Sequence, residues 1–258
     1  MYYVLASREQ LLQHLPEGGV GAEIGVAEGN FSAAILEAAA PTELHLIDPW
    51  SHLEAGSDLL GANTLLAQVG EAGGHGAAVP RNLAGDRLYG SVEQRFAADP
   101  RVRLHRQYSY RAAAGFEDGL FDFVYIDGNH HYEFVLRDLE DYAAKLKPGG
   151  LLFGHDFFEN DFAREHRYGV MDAVRTFVKR TDFVLLMLTW EPYSTFFLAR
   201  RMDGFAGRMM HNVFSSEIGM IELPDELAAS YQDKMYERPD GTAKRIPSFV
   251  NALHFQLS

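Results

Sequence analysis

Short apolar runs alternate along this chain with longer stretches of helical spacing. The runs at 18–24, 43–48, 102–107, 121–127 and 151–154 have the length and composition of strands. Between them, 7–15 reads as a helix with Ser7 as its N-cap, 30–40 as a helix stopped by Pro41, and 85–98 as a further helix. Across 132–146, Val135, Leu139, Tyr142 and Leu146 share one helical face. Lys145 and Lys147 sit where the helix dipole favours cations, and Pro148-Gly149-Gly150 ends the helix. Another helix is expected over 169–179. Only Glu191-Pro192-Tyr193-Ser194 separates the closing runs at 183–189 and 195–200, too little for a crossover, so these strands should pair antiparallel. The pattern predicts an α/β fold. The sheet is doubly wound, Rossmann-like, seven-stranded and mostly parallel, with one antiparallel strand and helices on both faces.

This divides the chain into an N-terminal helix over 1–17, a main domain over 18–200 and an extension over 201–258, in which 224–232 has helical character. A glycine-rich insertion at 50–82 is long for a connection and reads either as a lid or as a surface loop. The length of 258 residues suits one α/β domain with additions, and 47% apolar residues supply a sizeable core. A net charge of −13 argues against a nucleic-acid surface, which needs clustered Lys and Arg. The absence of cysteine removes disulfides, thiolate nucleophiles and Cys-zinc sites. Met1-Tyr-Tyr-Val-Leu-Ala-Ser-Arg8 lacks the layout of a signal peptide, and no apolar stretch approaches the ~20 residues that span a bilayer. The expectation is a soluble cytoplasmic protein without nucleic-acid or membrane partners, its tail 201–258 available for a homo-oligomer interface.

The most informative segment is Val20-Gly-Ala-Glu-Ile-Gly-Val-Ala-Glu-Gly-Asn30. A strand carrying Glu23 runs into a turn containing Gly25 and Gly29, and a helix follows. Glycines let the turn take positive φ and let a ligand lie against bare backbone, beside the free N–H groups of the helix start. Asp48 ends the next strand about twenty residues on, where an acid can accept two ribose hydroxyls. This pairing is a nucleoside-binding half-domain. The spacing Gly21-x-x-x-Gly25-x-x-x-Gly29 is not the G-x-G-x-x-G of dinucleotide folds.

That spacing resembles motif I of class I S-adenosylmethionine-dependent methyltransferases. Phe121-Asp-Phe-Val-Tyr-Ile-Asp-Gly-Asn-His-His-Tyr132 and Leu146-Lys-Pro-Gly-Gly-Leu-Leu-Phe-Gly-His-Asp-Phe157 are similar to the fourth and fifth strand regions of the same family, especially its small-molecule and sugar O-methyltransferase branch. The resemblance spans roughly 18–200. It implies S-adenosylmethionine as cofactor, with Glu23, Gly25 and Gly29 along its methionine and ribose, and Asp48 on the ribose hydroxyls. Ser109 falls beside adenine, Asp127 at the cofactor's edge, and Trp50 or Tyr108 stacked on the base. Ser109 reads equally as the N-cap of a helix over 110–115.

In the family's strand order, Asp127 and His155-Asp156 end neighbouring strands, ~4.8 Å apart. Two carboxylates there suit one divalent cation, magnesium by resemblance, which would also bind the acceptor hydroxyl and lower its pKa. The branch resembles acid–Asp where this chain has His155-Asp156; His155 as third ligand would favour manganese or another softer ion, or leave the site too weak for metal. His130 matches the proposed general base, and His131 competes for that role or pairs structurally with Asp138, seven residues on. Phe153, Phe157, Phe158 and Phe162 are either core or acceptor-pocket wall. The leading expectation is a metal-assisted O-methyltransferase acting on a hydroxyl of a sugar or related small molecule. The alternatives are a metal-independent methyltransferase, a nicotinamide oxidoreductase and a non-catalytic binding protein.

Overall fold

The computed structural model describes residues 1–50, 81–224, 227, 231–237 and 241–248. The insertion at 50–82 therefore lies almost wholly outside the described residues, as does most of the helix expected at 224–232. The chain opens with β1 (Tyr2–Val4) and α1 (Arg8–Leu12), then β2 (Val20–Ile24), α2 (Asn30–Ala38), β3 (Glu43–Ile47) and α3 (Arg81–Phe96). It continues through β4 (Val102–His105), α4 (Ser109–Gly115), β5 (Phe121–Ile126), α5 (Tyr132–Lys145), β6 (Leu146–Gly154) and α6 (Asp161–Glu165). Then come α7 (Val170–Arg180), β7 (Val184–Thr189), β8 (Phe196–Ala199), α8 (Gly204–Phe214), β9 (Met220–Glu222), β10 (Gln232–Glu237) and β11 (Ala243–Ser248).

The main sheet runs β4-β3-β2-β5-β6-β8-β7-β1-β9, nine strands rather than the seven expected. The seven are all present; β1 adds in parallel to β7, and β9 adds antiparallel to β1. Both extra strands have three residues, below the length at which alternation is readable in sequence. Antiparallel pairing therefore occurs at β8, as expected, and again at β9. β10 and β11 form a separate hairpin, and Gln232, expected to be helical, begins its first strand. No helix among the described residues is long and apolar enough to cross a membrane.

Strand alternation divides the core between the two faces. Val124 and Ile126 of β5 pack with Ala112, Val135, Leu139, Val174 and Phe177 from α4, α5 and α7. Phe123 and Tyr125 face the other way, toward Leu11, Ile35, Val92, Phe205 and Met209 from α1, α2, α3 and α8. The Lys147-Pro-Gly-Gly150 run does more than end a helix. Phe121 pairs with Leu146 and Phe123 with Leu151, so the run is extruded as a bulge on entry to β6.

Register places the site. Ile24 pairs with Ile47 and Ile126, and Ile126 pairs with Gly154. The next residues are Gly25, Asp48, Asp127 and His155, which therefore line up along the carboxyl edge of four adjacent strands. Strand order reverses between β2 and β5, and that is where open α/β sheets leave a ligand crevice.

Candidate active site

The turn after β2 is built for close approach. Gly25 has φ +87°, and a Cβ there would stand 2.1 Å from the Asp127 carbonyl oxygen. Gly29, at φ +72°, occupies the N-cap position of α2. Asp48 organises this turn: one carboxylate oxygen accepts the N–H groups of Val26 and Ala27, both at 3.0 Å, and the other accepts that of Trp50 at 2.7 Å. Trp50 folds back and donates its indole N–H to Ala27 O at 2.9 Å, with its ring edge-on to Tyr89. Ribose hydroxyls would share the Asp48 carboxylate with these amides.

Glu23 is buried and accepts a short hydrogen bond from Ser32 Oγ in the first turn of α2. Burial pushes its carboxyl up to about 8, Ser32 opposes this, and the charges of Asp127 and Asp48 add to it. Glu23 thus braces α2 against β2 from below the turn. Ser109 does not cap a helix, since the cap position of α4 is Tyr108. Its hydroxyl donates to Asp138 Oδ1 at 2.5 Å, tying α4 to α5. Burial raises Asp138 to about 7, with Ser109 pulling the other way. Asp138, considered as a partner of His131, is engaged here with Ser109; His131 occupies the N-cap position of α5, its N–H on Asn129 Oδ1. Tyr108 stacks on Tyr110, 5.8 Å between centroids.

Three expected residues converge beyond the β5 and β6 ends. His130 Nε2 lies 2.8 Å from Asp156 Oδ2 and 3.5 Å from Asp127 Oδ1. These are ion-pair distances at angles outside hydrogen-bond geometry, so Nε2 is buried between two carboxylates without a hydrogen bond. Ligand atoms of Asp127, His130 and Asp156 all lie within 4.8 Å of one another. Asp156 itself holds φ +62°, a left-handed conformation that turns it back over the site. His155 stands outside this trio, with Nδ1 3.3 Å from Asp156 Oδ1.

The electrostatics are those of a shared charge. Burial alone would raise both acids, but His130 and His155 outweigh it, and Asp127 and Asp156 are held below the usual carboxylate range. Burial alone would lower His130, but Asp156 and Asp127 raise it well above its ordinary value. The two carboxylates thus stabilise positive charge at His130. The same two carboxylates that bring His130 into the site therefore favour its protonated form over the proton-accepting one. The Tyr168 ring lies parallel to His130, 4.6 Å away, and covers it.

Sequence reasoning missed Arg8. Its Nη1 donates to Tyr125 OH at 2.6 Å and to Asp127 Oδ2 at 3.0 Å. Glu191 was also missed; both its oxygens accept the Arg8 N–H at 3.1 Å. No local motif marks either residue. They meet because β1 pairs with β7, a contact between segments about 185 residues apart. Of the candidate pocket aromatics, Phe153, Phe157 and Phe158 are core, and Phe162 is exposed.

Comparison with known proteins fits this geometry. A family model described as a methyltransferase domain matches residues 22–157, the span from β2 through the Asp156 turn. The chain belongs to this methyltransferase family. The methyltransferase is 35% identical to the uncharacterized protein y4gI of Sinorhizobium fredii over 68 residues, 26% of this chain and 7% of that much longer protein. Among solved structures, it aligns with the S-adenosylhomocysteine-bound methyltransferase PaMTH1 of Podospora anserina at 16% identity, TM-score 0.44, covering 70% of this chain and 71% of that one. It also aligns with spermidine synthase of Thermotoga maritima at 13% identity, TM-score 0.48, covering 86% and 67%.

Proposed function

We propose that this methyltransferase methylates a hydroxyl of a sugar or related small molecule, and that Asp127, His130 and Asp156 hold one divalent cation beside the acceptor. The observation that carries the reading is His130 Nε2, buried between two carboxylates without a hydrogen bond. A nitrogen and two carboxylate oxygens within 4.8 Å of one another form a donor set that suits manganese or a softer divalent ion better than magnesium. When bound there, a divalent ion would lower the pKa of a neighbouring hydroxyl toward neutrality.

The chain's own residues supply the rest. The Gly25 turn leaves bare backbone for the cofactor, Gly29 opens the helix N-terminus, and Asp48 takes the ribose. Ser109 stands at the adenine end. Glu23 keeps the turn in register from beneath. Tyr168 stacks on His130 and holds its ring plane between the two carboxylates. His155, against Asp156, fixes that carboxylate and is available as a further ligand. Because the sulfonium is already activated, catalysis reduces to positioning two reactants and removing one proton.

The test is methyl transfer from S-adenosylmethionine to a panel of sugar hydroxyls, before and after chelation. Transfer lost on chelation and restored by magnesium or manganese supports the reading. Full transfer by metal-free protein would move the chemistry to a metal-independent mechanism.

A further inference from the structure

Arg8 is held in place more firmly than a surface arginine needs. The capping box of α1 fixes the chain entry, with Ser7 N–H on Gln10 Oε1 at 2.9 Å and Gln10 N–H on Ser7 Oγ at 3.4 Å. Glu191 accepts the Arg8 N–H and is itself held by the Thr189 and Thr195 hydroxyls at 2.6 and 2.8 Å. The guanidinium carbon lies 4.8 Å over the ring of Phe31, in the first turn of α2. Nη1 serves Tyr125 and Asp127, and Nε serves Glu9 at 3.2 Å. Nη2 has no hydrogen bond among the described residues, and the side chain stays 23% exposed.

Asp127 separates two compartments. Its Oδ1 faces His130, on the side of the proposed cation. Its Oδ2 faces Arg8, on the side of the glycine turn and α2. We infer that Arg8 binds the carboxylate of the cofactor's methionine portion, an inference that rests on the Gly25 turn being the cofactor site. The chemistry is complementary. The crevice edge otherwise presents Asp48, Asp127 and Asp156, which suit the sulfonium and the amino group but repel a carboxylate. The two N–H donors of Nη2, left over once Nε and Nη1 are engaged, answer that one anionic group with a charge-assisted hydrogen bond.

The test is calorimetric titration of the full chain with two ligands: S-adenosylhomocysteine, and 5′-methylthioadenosine, which keeps the adenosyl thioether but lacks the amino acid. Arg8→Ala should weaken S-adenosylhomocysteine binding about 10- to 100-fold, the scale for a lost charged hydrogen bond. It should leave methylthioadenosine binding unchanged, and Arg8→Lys should fall between. Arg8→Gln keeps the stem and a donor, and replaces the alanine variant if that does not fold. Equal losses for both ligands, or no loss for S-adenosylhomocysteine, would overturn the assignment. If the unmodified protein binds neither ligand, the cofactor reading fails and takes this inference with it.

Discussion

At the scale of single residues, the crevice depends on groups whose charge is set by their neighbours. Asp48 accepts three backbone N–H groups around the glycine turn. Asp48→Ala should therefore loosen the turn as well as remove a ribose acceptor, weakening S-adenosylhomocysteine binding by ~1–3 kcal/mol in calorimetry. His130→Ala removes a proposed ligand and should cost divalent-ion affinity at least the ~10–100-fold typical of residues that merely support ligands. His155→Ala should cost less, because His155 acts through Asp156. Glu23 gives a pH signature. Its folded pKa of about 8 lies above the ordinary 4.5, so between those values the folded state keeps a proton that the unfolded chain has lost. Glu23 thus makes stability fall as pH rises through that window. Glu23→Gln should flatten the fall in denaturant titrations from pH 5 to 8; an unchanged slope would show that Glu23 is ionised in the folded protein.

At the scale of elements, the turn and the strand ends carry the function. Gly25→Ala would place a Cβ 2.1 Å from Asp127 O at a left-handed φ. That conformation alone costs roughly 1–2 kcal/mol for a non-glycine residue, and the clash adds to it. The variant should lose cofactor binding and melt at a lower temperature. An alanine variant that binds S-adenosylhomocysteine normally would show that backbone approach at Gly25 is not needed. Much of this was legible in sequence, because β2, β3 and β5 are apolar runs ending on Gly25, Asp48 and Asp127, and period and punctuation mark such ends well. The β6 end was legible too, but the trio there was not fully so. The sequence suggests His155 as the third ligand and His130 as a base, whereas in the structure the left-handed turn at Asp156 and the stacking of Tyr168 put His130 beside both acids. Arg8 was illegible, since a three-residue strand has no readable period and its partner strand lies far along the chain.

At the scale of the molecule, one part-buried histidine pair away from the crevice sets a limit on acid stability. His45 Nδ1 lies 2.8 Å from His105 Nε2, stacked beside Phe116. Burial, then the neighbouring His105, lowers His45 to about 4. A folded pKa below the unfolded 6.5 gives stability that is fully present above pH 6.5 and lost as pH falls toward 4, on the order of 2–3 kcal/mol. His45→Phe should remove most of that acid-side loss in chemical denaturation between pH 7 and 4.5. The same slope in the variant would place the acid sensitivity elsewhere. The two added edge strands β1 and β9 matter at this scale as well, since β1 carries α1 and Arg8 to the crevice.

The central claim is that a divalent ion binds at Asp127, His130 and Asp156 and displaces the His130 proton to solvent. It is tested most directly by calorimetric titration of manganese into metal-stripped protein, in buffers of different ionisation enthalpy. The account predicts one ion per chain, about one proton released on binding near pH 7, affinity rising with pH, and loss of the site in Asp156→Asn. Absence of binding, binding without proton release, or binding indifferent to Asp156→Asn would contradict it.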